Sequence, residues 1–224
     1  MNNDNEFKPC DETCKLCFGV GLVDCGEAGY ALCPNDPRKY RDTGVRESDI
    51  GVPERLKQTK TMKVMETALS ELLTKGFGLA YLQGDYGIGK TVTAKAWTAR
   101  AVRKFESGVY YRRQSDLINW LRASYDSEHG QAEYKRRLDK IKFSRWLVID
   151  ELGRDRFSDF GRESLNEILD SRYMGSVEER NVTILVSNFA PEKIFEPYII
   201  DRIRDSKNRV LSLASQSLRV NTHV

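Results

Sequence analysis

The segment GDYGIGKT at positions 84–91 has glycines, a lysine and a threonine spaced G-x-x-x-x-G-K-T. Gly84, Gly87 and Gly89 lack a Cβ, so backbone N–H groups can turn inward around a phosphate. Lys90 supplies an ammonium for β- and γ-phosphate oxygens, and the Thr91 hydroxyl suits a magnesium ion. Asp85, Tyr86 and Ile88 occupy the intervening loop positions, and Val92 carries the chain into a helix whose N-terminal dipole favours anions. Residues 84–92 are therefore candidate contacts to ATP, with Mg²⁺ as its companion ion.

Further along, the apolar run WLVI is followed by Asp150 and Glu151. A buried strand ending in two acids can present the first, Asp150, to the metal and leave the second, Glu151, to activate a water as general base. Such an ending is weak evidence alone and becomes specific beside a phosphate loop, because phosphoryl transfer needs a metal holder and a water activator. Asn188 ends another apolar run, TILVSN. It suits either a group orienting the attacking water or an ordinary turn before Pro191.

All five cysteines lie between Cys10 and Cys33. In a reducing compartment such clustering favours a metal site over a disulfide framework. Cys14-x-x-Cys17 followed by Phe-Gly-Val-Gly has the form of a zinc knuckle, and Cys33 supplies a third thiolate. The fourth is Cys10 or Cys25; Cys10 is preferred because it leads a compact C-x3-C-x2-C run. Zn²⁺ on Cys10, Cys14, Cys17 and Cys33 would supply folding energy to a segment too small for its own core.

The elements that must hold these groups can be read from periodicity. Met62, Met65, Leu69, Leu72 and Leu73 recur at helical spacing and Gly76 ends the run. Residues 77–82 read as a strand, and a second helix carries Ala94, Trp97, Ala101 and Phe105 on one face. Strands follow at 109–112, 146–149 and 182–186, with a helix capped by Ser115 and another over 161–173. Short apolar strands separated by helices imply an α/β fold, a parallel sheet covered on both faces. The 224 residues are 40% hydrophobic with a net charge of +3, which permits a nucleic-acid partner without requiring one. With no apolar run long enough for a bilayer and no signal pattern, a cytoplasmic protein without a membrane partner is expected. The domain reading is a cysteine-rich segment at 1–40, a connector at 41–58 and an ATPase domain at 59–224.

Over about residues 50–220 the chain resembles the DnaC/DnaI-type helicase loaders of bacteria and phages. It equally resembles their sister group, the IstB-like ATP-binding subunits of insertion-sequence transposases. The resemblance rests on an ordered series: GVPERL, GDYGIGKT, SDLINWLRASY, LVIDELG, ILDSRY, ERNVTILVSN, IIDRI and SLR. It implies an AAA+ P-loop fold that self-associates into an oligomer. Asn188 then corresponds to the first sensor, Arg202 to an arginine finger acting on a neighbour's γ-phosphate, and Arg219 to the second sensor. A plain surface role for Arg202, with Arg204 nearby, is the other reading. The resemblance also implies single-stranded DNA binding, with candidates among Tyr110, Tyr111, Arg112, Arg113, Trp120, Arg122 and Tyr125, and a replicative DNA helicase hexamer as partner, gripped by the cysteine segment. The alternatives are a transposition helper ATPase on duplex DNA and a nucleotide-regulated adaptor with little hydrolysis. The cysteine segment favours the loader.

Overall fold

Five short apolar runs form one parallel sheet: β1 Gly78–Gly84, β2 Val109–Arg113, β3 Trp146–Leu152, β4 Val182–Ser187 and β5 Arg209–Leu213. In this computed structural model, which describes residues 22–24, 30–33, 36–57, 59–105, 107–125, 130–175 and 180–214, the strand order is β2-β3-β4-β1-β5. All four strand pairings are parallel, so each connection must cross the sheet, and helices make those crossings. Helix α1, Lys60–Lys75, precedes β1, and α2, Lys90–Lys104, joins β1 to β2. Helices α3, Gln114–Tyr125, and α4, Gly130–Lys142, lie between β2 and β3. Helix α5, Asp159–Met174, and α6, Pro197–Ile203, complete the series.

Strand alternation divides the core into two layers. Ala80, Leu82, Trp146, Val148 and Ile184 face the α1–α2 side. Tyr81, Leu147, Ile149 and Leu185 face α3–α6. The α/β fold with both faces covered, expected from the sequence, is thus found. Gly76, at φ 78°, caps α1 in the left-handed conformation and Thr59 accepts from the Met62 N–H at its other end. Three elements escape periodicity. Helix α4 buries just Leu138 and Ile141, α6 is one short helix behind Pro197, and β5 alternates little. Helix α3 starts directly at Gln114, so Ser115 lies within its first turn and is not the cap expected.

Within the cysteine segment, Leu22–Asp24 pairs antiparallel with Tyr30–Leu32. Cys33 follows and is fully buried, its carbonyl accepting from the Asp36 N–H at 2.8 Å. Cys10, Cys14, Cys17 and Cys25, and also Arg219, lie outside the described residues. The polar stretch expected as a connector packs into the domain: Val45 and Val52, with Tyr40 just ahead of it, are buried in the α1–α2 layer. Its Thr43 carbonyl takes the Tyr111 N–H at 2.6 Å, closing the open edge of β2. Gly44 is required there, because a Cβ would stand 2.0 Å from the Tyr111 carbonyl oxygen. Among the described residues no helix is long and apolar enough to cross a membrane.

A buried arginine pins the far layer. Arg172 of α5 is 1% exposed. It donates to the carbonyls of Ile141, Ser144 and Val182 and to the Thr183 hydroxyl, all at 2.7–2.9 Å. These bonds tie the end of α4 to the start of β4. Arg172→Ala strands several buried acceptors and is expected to cost about 3 kcal/mol or more of stability, read as a lower urea midpoint with an unchanged m-value.

Candidate nucleotide site

The C-terminal ends of β1, β3 and β4 lie level, and the chemistry-bearing side chains gather there. Strand β1 ends at Gly84, whose missing Cβ would otherwise stand 2.4 Å from the Leu213 carbonyl oxygen of β5. The loop then turns through Gly87 and reaches Gly89 in the left-handed region at φ 95°, immediately before α2. Ile88 is fully buried and anchors the loop from below, while Tyr86 is 57% exposed. Asp85 and Val92 also face outward.

Lys90, 7% exposed, folds back across the loop. Its Nζ donates to the carbonyls of Gly84 at 2.7 Å and Asp85 at 2.8 Å, and to Asn188 Oδ1 at 2.9 Å. Asn188 follows β4, next to β1 in the sheet, so strand order alone brings it to the lysine. The Thr91 hydroxyl donates to Asp150 Oδ2 at 2.8 Å. A hydroxyl and a carboxylate meeting at the first turn of α2 are hard oxygen donors, the kind Mg²⁺ takes while keeping several waters. The residues present therefore fit that ion.

Asp150, at the buried end of β3, accepts two more bonds: from the Tyr111 hydroxyl at 2.5 Å and from the Glu151 N–H at 2.7 Å. Glu151 itself sits at φ 57°, a left-handed conformation unusual for a residue with a side chain. The turn redirects its carboxylate away from the strand. One oxygen pairs with Arg154 at 2.8 Å and the other lies 3.9 Å from Arg113. The neighbouring Gln114, also buried, accepts from the Gly153 N–H at 2.7 Å through Oε1. The loop after Glu151 is thereby fastened to the start of α3.

Tyr111, Arg113 and Gln114 were not read as parts of this site; the first two were grouped with Tyr110 and Arg112 as DNA candidates. Alternation along β2 was the signal that separates them. Tyr111 points to Asp150 on the α1–α2 side, while Tyr110 lies on the other face. Arg112 donates to the Asp42 carbonyl and is tied to the connector. The structure does not bring Arg202 to this cluster. It pairs with Asp170 of α5 and lies over the rings of Tyr173 and Tyr198, both 5.4 Å away.

The family described as IstB-like ATP binding protein matches residues 62–221. A comparison with curated proteins returned no match. Among solved structures, the chain is similar to the crystal structure of the DnaC helicase loader, with 21% identity, a TM-score of 0.55, and 79% of this chain and 99% of that one covered. A DnaI crystal structure matches with 23% identity, a TM-score of 0.51 and coverage of 80% and 95%. AMPPCP-bound DnaA from Aquifex aeolicus matches with 17% identity and a TM-score of 0.54 over 69% of this chain. The chain spans about half the length of the DnaA structure, 47%. At these identities the likenesses establish a common fold.

Two buried tyrosines give the site a pH signature. Burial pushes the Tyr81 hydroxyl, which donates to the Phe189 carbonyl, up to about 12. Burial, and then the Asp150 charge, push Tyr111 higher still. In the unfolded chain both ionise near the ordinary value of about 10. The folded state is therefore fully favoured below about pH 10 and loses stability as pH rises above it. Unfolding free energies from urea titrations are expected to fall across pH 10–12, and Tyr111→Phe should flatten that fall.

Proposed function

We propose that this chain, which belongs to the IstB-like ATP-binding protein family, hydrolyses ATP in an oligomeric AAA+ assembly and loads a replicative DNA helicase onto single-stranded DNA. One observation carries the ATPase reading: Lys90, Thr91, Asp150, Glu151 and Asn188 converge at the ends of three adjacent strands. Lys90 is held over the loop by two carbonyls and Asn188, and it would exchange some of these bonds for phosphate oxygens. Thr91 and Asp150 would hold Mg²⁺, which when bound would neutralise negative charge on the phosphates.

Glu151 accepts a proton from the attacking water as the water oxygen bonds to the γ-phosphorus. The bond from that phosphorus to the bridging oxygen breaks, leaving ADP and inorganic phosphate. Asn188, bonded to Lys90, is placed to orient that water beside the γ-phosphate. Arg154 and Arg113 flank the Glu151 carboxylate, which would exchange the Arg154 pairing for the attacking water. Arg202 is paired with Asp170 of α5 and would leave that pair to reach a neighbouring subunit. Arg219 would complete the site from the C-terminal segment.

The DNA reading gains support from a cleft on the same end of the sheet. Arg122 of α3 and Arg156 and Phe157 ahead of α5 line it together with Asp155, and cations beside an aromatic ring suit single strands. The cysteine segment is the module that grips the helicase, with Zn²⁺ on Cys10, Cys14, Cys17 and Cys33. A second reading, the transposition helper on duplex DNA, is favoured by the family's own description.

Glu151→Gln should lower ATP turnover by at least about 100-fold in a coupled phosphate-release assay while a fluorescent ATP analogue binds as before. Persistent turnover would remove Glu151 as the base. For the partner, light scattering after size exclusion of the chain mixed with the host's replicative helicase, ATP and Mg²⁺ should give a joint complex, lost when residues 1–40 are deleted. Oligomers on duplex DNA, with no helicase complex, would select the transposition helper.

A further inference from the structure

The sheet has a second chemically distinctive end. We propose that the edge opposite the phosphate loop carries a separate nucleic-acid site, a pocket for a backbone phosphate and a stacked base of single-stranded DNA. A cavity of 210 Å³ opens there between the connector, the end of α2, the start of β2 and α4. Its lining includes Arg38, Lys39, Arg41 and Lys140 against one carboxylate, Asp42. Arg38 is engaged by Asp36 at 2.7 Å, and Lys39 and Lys140 are the lining cations that would meet a ligand.

Two features select the ligand class. The cavity is smaller than the roughly 300–1,000 Å³ that encloses a whole small-molecule ligand, so it suits one unit of a strand that passes over it. Aromatic rings stand among the cations. The Lys140 ammonium lies 5.4 Å from the Tyr110 ring, and the Arg145 guanidinium 5.8 Å from that of Phe105, another lining residue. Cations interleaved with half-buried rings neutralise phosphate and stack bases, whereas an acidic peptide would use the charge and leave the rings without a role.

The location distinguishes this pocket from the cleft at Arg122. Val109 opens β2 and Arg113 closes it, so the two ends stand about 13 Å apart along the strand. Helix α2 starts at Lys90 and ends beside the pocket at Phe105. A strand held here bears on the helix that carries the phosphate loop.

The test is fluorescence anisotropy of a fluorescein-labelled oligothymidylate with the full chain over a series of salt concentrations. Each phosphate contact contributes about 0.7 to the slope of log affinity against log salt for single strands. Lys39→Glu with Lys140→Glu should weaken binding about tenfold and reduce the slope by about 1.4. Binding of a fluorescent ATP analogue should stay unchanged, and the decrement should persist in an Arg122→Glu background. The milder pair, Lys39→Gln with Lys140→Gln, is read the same way and guards against a folding defect. Wild-type affinity and slope in both pairs overturn the proposal. So does retention of oligothymidylate with loss of polyglutamate binding, which would make the pocket a protein-docking site. Helicase complex formation does not enter this measurement, so the loader reading can fail while the pocket stands.

Discussion

A carboxylate that is 1% exposed, Asp150, accepts from three donors on three parts of the chain: the Thr91 hydroxyl, the Tyr111 hydroxyl and the Glu151 N–H. A buried charge costs several kcal/mol unless it is surrounded by donors, so these contacts must form together. Satisfying them fixes the first turn of α2 against β3, sets β2 beside β3 in register, and bends the chain at Glu151. The glycine-rich loop, the Thr91–Asp150 pair and the turn at Glu151 are thus positioned by one local requirement. Asn188 joins through Lys90, whose ammonium is likewise satisfied by carbonyls on one side and a side-chain oxygen on the other.

The same economy runs through α2 to the rest of the domain. Its inner face packs on the sheet, its outer face receives the connector, and Arg103 near its end pairs with Glu47 at 2.8 Å. Tyr40 donates to the Ala99 carbonyl at 3.4 Å. The path from the cysteine segment to the phosphate loop is therefore a packed one. The same strip closes the edge of β2 through Thr43.

Much of this was legible in the chain. The phosphate loop, the Asp150–Glu151 ending and the sheet's apolar strands all announce themselves through local spacing or period, because each depends on residues within a few positions of one another. Helix α4 was not legible, since two buried side chains in thirteen residues leave no clear stripe. Nor was β5, whose role is to pair with β1 and whose partial burial gives no alternation. The connector was misread for a related reason: its polar composition hides Val45 and Val52, which with Tyr40 just ahead of it are spaced too irregularly for any element.

The sequence by itself determined the α/β class, the phosphate-binding chemistry and the identity of the acids, because these follow from residue type and short-range spacing. Tertiary structure alone decided which side chains meet. Strand order set Asn188 beside Lys90. Alternation along β2 sent Tyr111 to Asp150 and Tyr110 to the opposite face. Folding of the connector onto β2 brought Lys39 and Arg41 to the cavity that Lys140 also lines. Each of these is a contact between residues distant in the chain, and such contacts are fixed only when burial and hydrogen bonding choose one packing among many that the local pattern allows.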